Sequence, residues 1–325
     1  MSKYKAVNLL IAVASGLVFA QSAAAQEFPS KPIKIIVPYS AGGPTDMLAR
    51  SYAKVLSDLL GQPVVVDNRP GAGGNIGVDL VVKSNPDGYT IGFTAAGPLV
   101  VNGSLFRRMP YDASRDIAPV AFVAAVPNVI AVHPSLGISS LQELIAKAKS
   151  SPGSLMFASG GNGTAQHLGG ELFNSMADIK ITHVPYKGEG PAITDAIAGH
   201  VPVVLTTLSA GLPFFNSDRL IPLAVTTKQR SSVLPDVPSA SEAGVPGYVA
   251  EPWFGVFAPA KTPKLIIQKL NEASNQAILS AEVSENIKAI GGYVTPGSPE
   301  QFSEYMKAET LRWKEVIDKT GAKVD

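Results

Sequence analysis

Cysteine is absent from this 325-residue chain, and histidine occurs only four times. Without cysteine there is no disulfide, no thiol nucleophile and no thiolate metal ligand, so the fold rests on its core alone. The same absence leaves no residue for a lipoprotein anchor. The histidines, at 133, 167, 183 and 200, form no H-E-x-x-H pair. Charge is scarce as well: 16% of residues are charged against 46% hydrophobic, with a formal net charge of +1. Such a balance offers no basic surface for nucleic acid. No G-x-S-x-G surrounds any serine, which argues against a hydrolase built on a nucleophile elbow. The glycine loop Gly71–Gly77 puts Ile76 where a dinucleotide fingerprint needs its third glycine, and no Gly-Lys-Ser/Thr follows a glycine run. Apolar runs of membrane-spanning length are missing too. Ala6–Ala20 gives about fifteen residues where a bilayer needs roughly 20.

What is present begins with an address. Lys3 and Lys5, the apolar run and Ala23-Ala24-Ala25 make Met1–Ala25 read as a secretory signal cleaved after Ala25. Its removal leaves a mature chain of formal charge −1, and the signal implies export.

The stretch Pro32–Gly61 then reads as strand, loop and helix. Ile33–Val37 is a β-branched apolar run suited to a strand buried on both faces. Ser40-Ala41-Gly42-Gly43 is nearly bare backbone, and Pro44-Thr45-Asp46 carries helix-start chemistry. Met47, Leu48, Tyr52, Val55, Leu56, Leu59 and Leu60 recur at helical spacing, with Gly61 as the stop. A helix N-terminus reached through glycines suits a carboxylate or another small anion. Pro63–Asp67 and Tyr89–Thr94 read as further strands, each ending in a small-residue loop. In open α/β sheets such loops line a cleft beyond the carboxyl ends of the strands.

Leu155–Ala158, Ser159–Thr164 and Ala165–Met176 repeat the opening design of strand, glycine loop and hydroxyl-led helix. Two such helix ends suit a ligand gripped between two lobes. Other expected strands are Ile117–Val126, Val129–Val132, Ile181–Tyr186, Val201–Thr206, Ile221–Thr226 and Glu251–Ala258. Helices are expected over Leu141–Lys149, Pro191–Ala198, Pro263–Ser280 and Pro299–Thr320, with Thr207–Gly211 read as a loop. The alternation predicts an α/β fold with a mostly parallel sheet in each lobe.

Several residues admit a plain reading beside a functional one. Asp46 caps its helix or meets ligand, and His167 packs and caps or touches ligand. Lys187 is a solvated loop charge or a carboxylate partner. Arg69 pairs an anion or merely Asp67. Trp253-Phe254 fills a core or walls the cleft.

At these residues the sequence resembles the periplasmic substrate-binding receptors of tripartite tricarboxylate transporters, the Bug receptors. The likeness runs through FPSKPIKIIVPYSAGGPTDMLAR at 28–50, VVVDNRPGAGGNIG at 64–77 and NPDGYTIGF at 85–93. It continues through SGGNGTAQHLGGELF at 159–173, HVPYKGEGPAITDAIAGHV at 183–201 and EPWFGVFAPAKTP at 251–263. The resemblance implies a two-lobed Venus-flytrap receptor of the type II periplasmic-binding-protein fold, without catalytic activity, cofactor or metal. Lobe one would take residues 26–124 and 247–325, and lobe two residues 125–246.

It further implies ligand contacts from Tyr39, Ser40, Ala41, Gly42, Gly43, Thr45 and Asp46, with Thr94, Ala95 and Ala96, on lobe one. On lobe two it implies Ser159, Asn162, Gly163, Thr164 and His167, with Tyr186, Lys187, Gly188, Thr207 and Ser209. The segment Val203–Ser209 departs from the family pattern, which commonly carries an Asp there. The implied partners are a small organic carboxylate and the permease subunits of the transporter, with the receptor a monomer. A sensor subunit presenting ligand to a signalling partner, and an enzyme acting on a carboxylic acid, are the competing readings. Dicarboxylates, tricarboxylates, aromatic acids and amino acids all stay open as ligands.

Overall fold

The computed structural model describes residues 28–321 and 323. The secretory signal and its cleavage site lie outside the described residues. Among those residues no helix is long and apolar enough to cross a membrane.

Among the described residues ten strands form two five-stranded sheets. The first holds β1 (Ile33–Val37), β2 (Val64–Asn68), β3 (Thr90–Ala95), β4 (Ile117–Ala125) and β10 (Trp253–Pro259), in the order β2-β1-β3-β10-β4. The second holds β5 (Asn128–Val132), β6 (Met156–Ser159), β7 (Thr182–Pro185), β8 (Val203–Thr207) and β9 (Ile221–Val225), in the order β7-β6-β8-β5-β9. In each sheet one strand runs against the other four: β10 in the first and β5 in the second. These are the strands that receive the chain after it crosses between sheets. The two lobes are thus mostly parallel sheets of matching topology.

The chain passes from β4 to β5 at Val126-Pro127 and returns to β10 through Ala250-Glu251-Pro252. The two passages lie side by side, since the Val126 N–H donates to the Pro252 carbonyl at 2.8 Å. Beside them the Ala250 N–H donates to Thr226 O and the Thr226 N–H to Asn128 O, both at 2.9 Å.

β1 shows why these residues make these elements. Ile33, Ile35, Ile36 and Val37 are all buried, as befits a strand with helices on both faces. The helix Pro44–Leu60 begins with Pro at its first position and ends at Gly61, whose φ of 65° is the left-handed conformation glycine adopts without strain. Leu48, Tyr52 and Leu56 form its buried stripe, and the Tyr52 hydroxyl meets Ser274 Oγ at 2.6 Å. Burying each such side chain contributes about 1.5–3 kcal/mol. Met47 departs from the expected stripe: it is 66% exposed and faces the space between the lobes.

Three stretches differ from the sequence expectation. Thr207–Gly211 is not a loop: Leu208–Phe215 is a helix with Pro213 inside it. The helix expected from Pro191 starts earlier, at Glu189. An additional helix, Ala281–Ala289, opens where Ser280 accepts the Val283 N–H and ends before Gly291.

Candidate functional site

A cavity of about 1080 Å³ lies between the two sheets, beyond the carboxyl ends of the parallel strands. All three small-residue loops of lobe one reach it: Tyr39, Pro44 and Thr45 after β1, Ala72 and Gly73 after β2, and Ala95–Gly97 after β3. Lobe two contributes Asn162–Gln166, Glu189, Thr207 and Ser209. The crossing segments add Val126, Pro127 and Pro252, and the far wall is Phe254, Asn286, Ala289 and Ile290.

Two helix N-termini open onto this space with different degrees of self-satisfaction. On lobe one, Gly43 occupies the cap position and supplies no side chain to the first N–H groups. Thr45, in the first turn, is buried and lines the cavity. On lobe two, Thr164 is a working cap. Its Oγ1 accepts the His167 N–H at 3.2 Å and donates to the Gly161 carbonyl at 2.7 Å. Ala165 and Gln166, both lining residues, sit in the first turn, where the helix itself supplies their N–H groups no acceptor. Such ends carry partial positive charge and favour anions.

The lobes touch at Gly163. Its φ is +77°, and a Cβ there would stand 2.6 Å from Leu105 Cδ2 across the cleft. Only glycine fits both the backbone conformation and the gap.

The family model for tripartite tricarboxylate transporter receptors matches residues 48–322 of this chain. The chain belongs to that family. The Bordetella pertussis protein BugT is 40% identical over 319 residues, covering 98% of this chain and 97% of BugT. Among solved structures, Rhodopseudomonas palustris Rpa4515 with adipate is 38% identical with a TM-score of 0.78, covering 91% of this chain and 99% of that one. MatC from Rhodopseudomonas palustris, with bound malate, is 29% identical with a TM-score of 0.74, covering 89% and 100%. Family and fold are those of periplasmic solute-binding receptors rather than enzymes.

In this receptor the residues singled out from sequence divide into three groups. Tyr39, Thr45, Ala95, Ala96, Asn162, Gly163, Thr164, Thr207 and Ser209 line the cavity. Ser40, Ala41 and Gly42 are exposed outside the lining, as are Lys187 and Gly188, and half-buried Gly43 is outside it too. Asp46, Thr94, Ser159, His167 and Tyr186 stand one layer back and hold the loops.

Asp46 is nearly closed off by its own partners. It accepts from the Gly42 N–H at 2.8 Å, from Arg50 Nε at 3.0 Å and from Asn68 Nδ2 at 2.9 Å. Burial pushes its pKa up, but these hydrogen bonds and the Arg50 charge outweigh that and hold it below the usual carboxylate value. Its geometry thereby fixes the turn from β1 into the helix.

On lobe two, the His167 and His183 rings stack with centroids 4.1 Å apart. The Gly163 N–H donates to His167 Nδ1 at 3.0 Å, and His183 Nε2 meets Ser159 Oγ at 2.6 Å. Burial holds both imidazoles down to about 4, with neighbouring His167 adding to the effect on His183. Both are therefore neutral near pH 7 and serve as a rigid brace from β6 to the Gly163 turn. Tyr186 donates to Asp195 at 2.6 Å, outside the cavity lining. Arg69 pairs with Asp67 at 3.0 Å. Trp253 is fully buried, whereas Phe254 walls the cavity.

Three of the lining residues, from two places in the chain, were not legible as site residues. Asn286 and Ala289 come from the unexpected helix, for which Ser280 followed by Glu282 was the available start signal. Glu189 falls between the expected strand Ile181–Tyr186 and the expected helix Pro191–Ala198, yet its carboxylate is tied into the cavity wall by Gln166, Thr206 and Thr207. Where the family pattern suggested an Asp on the β8 segment, threonines hold a carboxylate from the neighbouring helix.

Proposed function

We propose that this receptor captures a small carboxylate-bearing solute between its lobes and delivers it to the permease subunits of a tripartite tricarboxylate-type transporter, without catalysis. The observation that carries the reading is the cavity itself: both lobes line it, and two helix N-termini with unspent N–H groups open onto it. A helix end contributes about 0.3–1 kcal/mol to an anion at the surface and up to about 2 kcal/mol when partly buried. Charge-assisted N–H bonds are roughly twice as strong as neutral ones. A few of them converging in a dry cleft suffice for micromolar affinity, about −8 kcal/mol.

Ligand that bridges both lobes stabilises the closed arrangement because only that arrangement makes both sets of contacts. The hinge in this reading is the pair of crossing segments at 126–127 and 250–252. Lobe one is assigned residues 26–124 and 247–325, and lobe two residues 125–246. The mature receptor starts after Ala25 and acts as a periplasmic monomer.

The testing experiment is a thermal-shift screen of residues 26–325 against small carboxylic acids and their amides. A true ligand at about 100 times its Kd adds roughly 2.7 kcal/mol of stability. A rise with an acid and not with its amide supports carboxylate capture. No acid outperforming its amide, after unfolding and refolding to strip any carried ligand, would overturn it.

A further inference from the structure

Among the described residues that line the cavity, Glu189 alone carries a formal charge. It is the first residue of the helix Glu189–Ile197, directly beneath the glycine loop after β6. Its Oε2 accepts from Thr206 Oγ1 at 3.1 Å, the Thr207 N–H at 3.2 Å and Thr207 Oγ1 at 2.8 Å. Among the described residues its Oε1 accepts only from Gln166 Nε2. All four donors are uncharged, so the negative charge is held in place without being neutralised. A carboxylate oxygen accepts about two hydrogen bonds with ease, which leaves Oε1 with room for one more donor.

The lobe-one side of the cavity is opposite in character. There the uncapped N-terminus of Pro44–Leu60 presents N–H groups, and Asp46 behind it is already paired with Arg50 and Asn68. The cleft therefore takes helix N–H groups from both lobes but holds a single charged acceptor pole, Glu189 on lobe two, and Leu105, Phe106, Phe254 and Ile290 add apolar wall.

Building on carboxylate capture at lobe one, we infer that Glu189 is a specificity-determining residue. It selects solutes that carry one carboxylate and, at the other end of an apolar body, an N–H donor, an ammonium above all. A second carboxylate at that pole would meet a like charge with no lining cation to offset it. An ammonium there completes the empty position on Oε1 and neutralises the one charge of the cavity. The cleft thus discriminates against dicarboxylates, in contrast to the adipate and malate seen with two solved relatives.

The test is isothermal titration of the ligand-free mature protein with straight-chain dicarboxylates from butanedioate to octanedioate and with the ω-amino acids of matching length. The simple monoacids and their amides serve as references. The expected result is that the best amino acid binds at least about tenfold more tightly than its matched dicarboxylate. In Glu189→Gln that ratio should fall to within about threefold. A dicarboxylate that binds the unsubstituted protein as tightly as its matched amino acid overturns the inference, and this ranking needs no variant to fold. A preference that survives in Glu189→Gln overturns the role of this residue. If no acid binds better than its amide to either protein, carboxylate capture itself fails and the inference falls with it.

Discussion

Replacing Glu251 with glutamine should change how stability depends on pH, and in a direction the structure dictates. Glu251 lies in the returning passage between lobes and is only 8% exposed. Oε1 accepts the Tyr293 hydroxyl at 2.7 Å, while Oε2 is buried with no partner among the described residues. The nearby Arg312 is already engaged, pairing with Glu309 at 2.8 Å and donating to the Val249 carbonyl. Burial, opposed in part by the Tyr293 bond and reinforced by the Glu309 charge, raises the Glu251 carboxyl from 4.5 to about 7. Between those values the folded chain holds a proton that the unfolded chain has released. The stability this proton brings is fully present below about 4.5 and is lost as pH rises through about 7.

A shift of that size makes the Glu251 contribution fall by about 2.5 kcal/mol between pH 5 and pH 8. The histidine brace acts with the opposite sign. His167 and His183 are depressed to about 4, so their contribution is complete above about 6.5 and is lost as pH falls toward 4. The two effects partly cancel in the wild-type profile, but the histidine contribution drops out of a difference between wild type and Glu251→Gln. Urea unfolding of both proteins at pH 5, 6, 7 and 8, without ligand, gives that difference. Relative to wild type, the variant should gain about 2.5 kcal/mol on going from pH 5 to pH 8. Parallel curves would refute the reasoning, because they would mean that the folded protein already carries Glu251 ionised at pH 5.

Two substitutions probe the grip on lobe two. Thr164→Ala removes the cap on Ala165–Ala177 and the hydroxyl bond to the Gly161 carbonyl, so it should cost about 1 kcal/mol of stability. It should also weaken binding of whichever acid the screen identifies several-fold, and calorimetric titration with an unchanged affinity would remove Thr164 from the site. Gly163→Ala places a methyl group against Leu105 in a left-handed backbone conformation. It should weaken ligand binding more than it lowers the melting temperature of the free protein, and Leu105→Ala should restore part of the lost affinity. Absence of any rescue would show that the interlobe gap at this point is not what limits closure.

The fold was legible because its local signals agree with its global plan. β1 reads as buried on both faces because it is, and the helix from Pro44 starts and stops on residues whose backbone preferences suit those positions. Failures came where two signals compete. Leu208–Phe215 contains Ser209, Gly211 and Pro213, so its composition argues for a loop. Packing of Leu208 and Phe215 into the lobe-two core overrides that preference.

At the site, sequence spacing located the loops but not the depth of each side chain within them. Asp46 and His167 sit on the first turns of cleft-facing helices, where a one-dimensional reading makes them ligand contacts. The third dimension turns Asp46 toward Arg50 and Asn68, and His167 toward His183, so both spend their polar atoms on the protein. Glu189 shows the converse. Nothing in Lys187-Gly188-Glu189-Gly190 distinguishes the glutamate from a solvated loop charge until β8 is laid beside it. Thr206 and Thr207, distant in sequence, supply three of its four donors. Loops made of backbone and small side chains can take a carboxylate from many solutes. The charge placed by Glu189 is a feature of the cavity wall that can tell those solutes apart, and it arises only from the pairing of two segments.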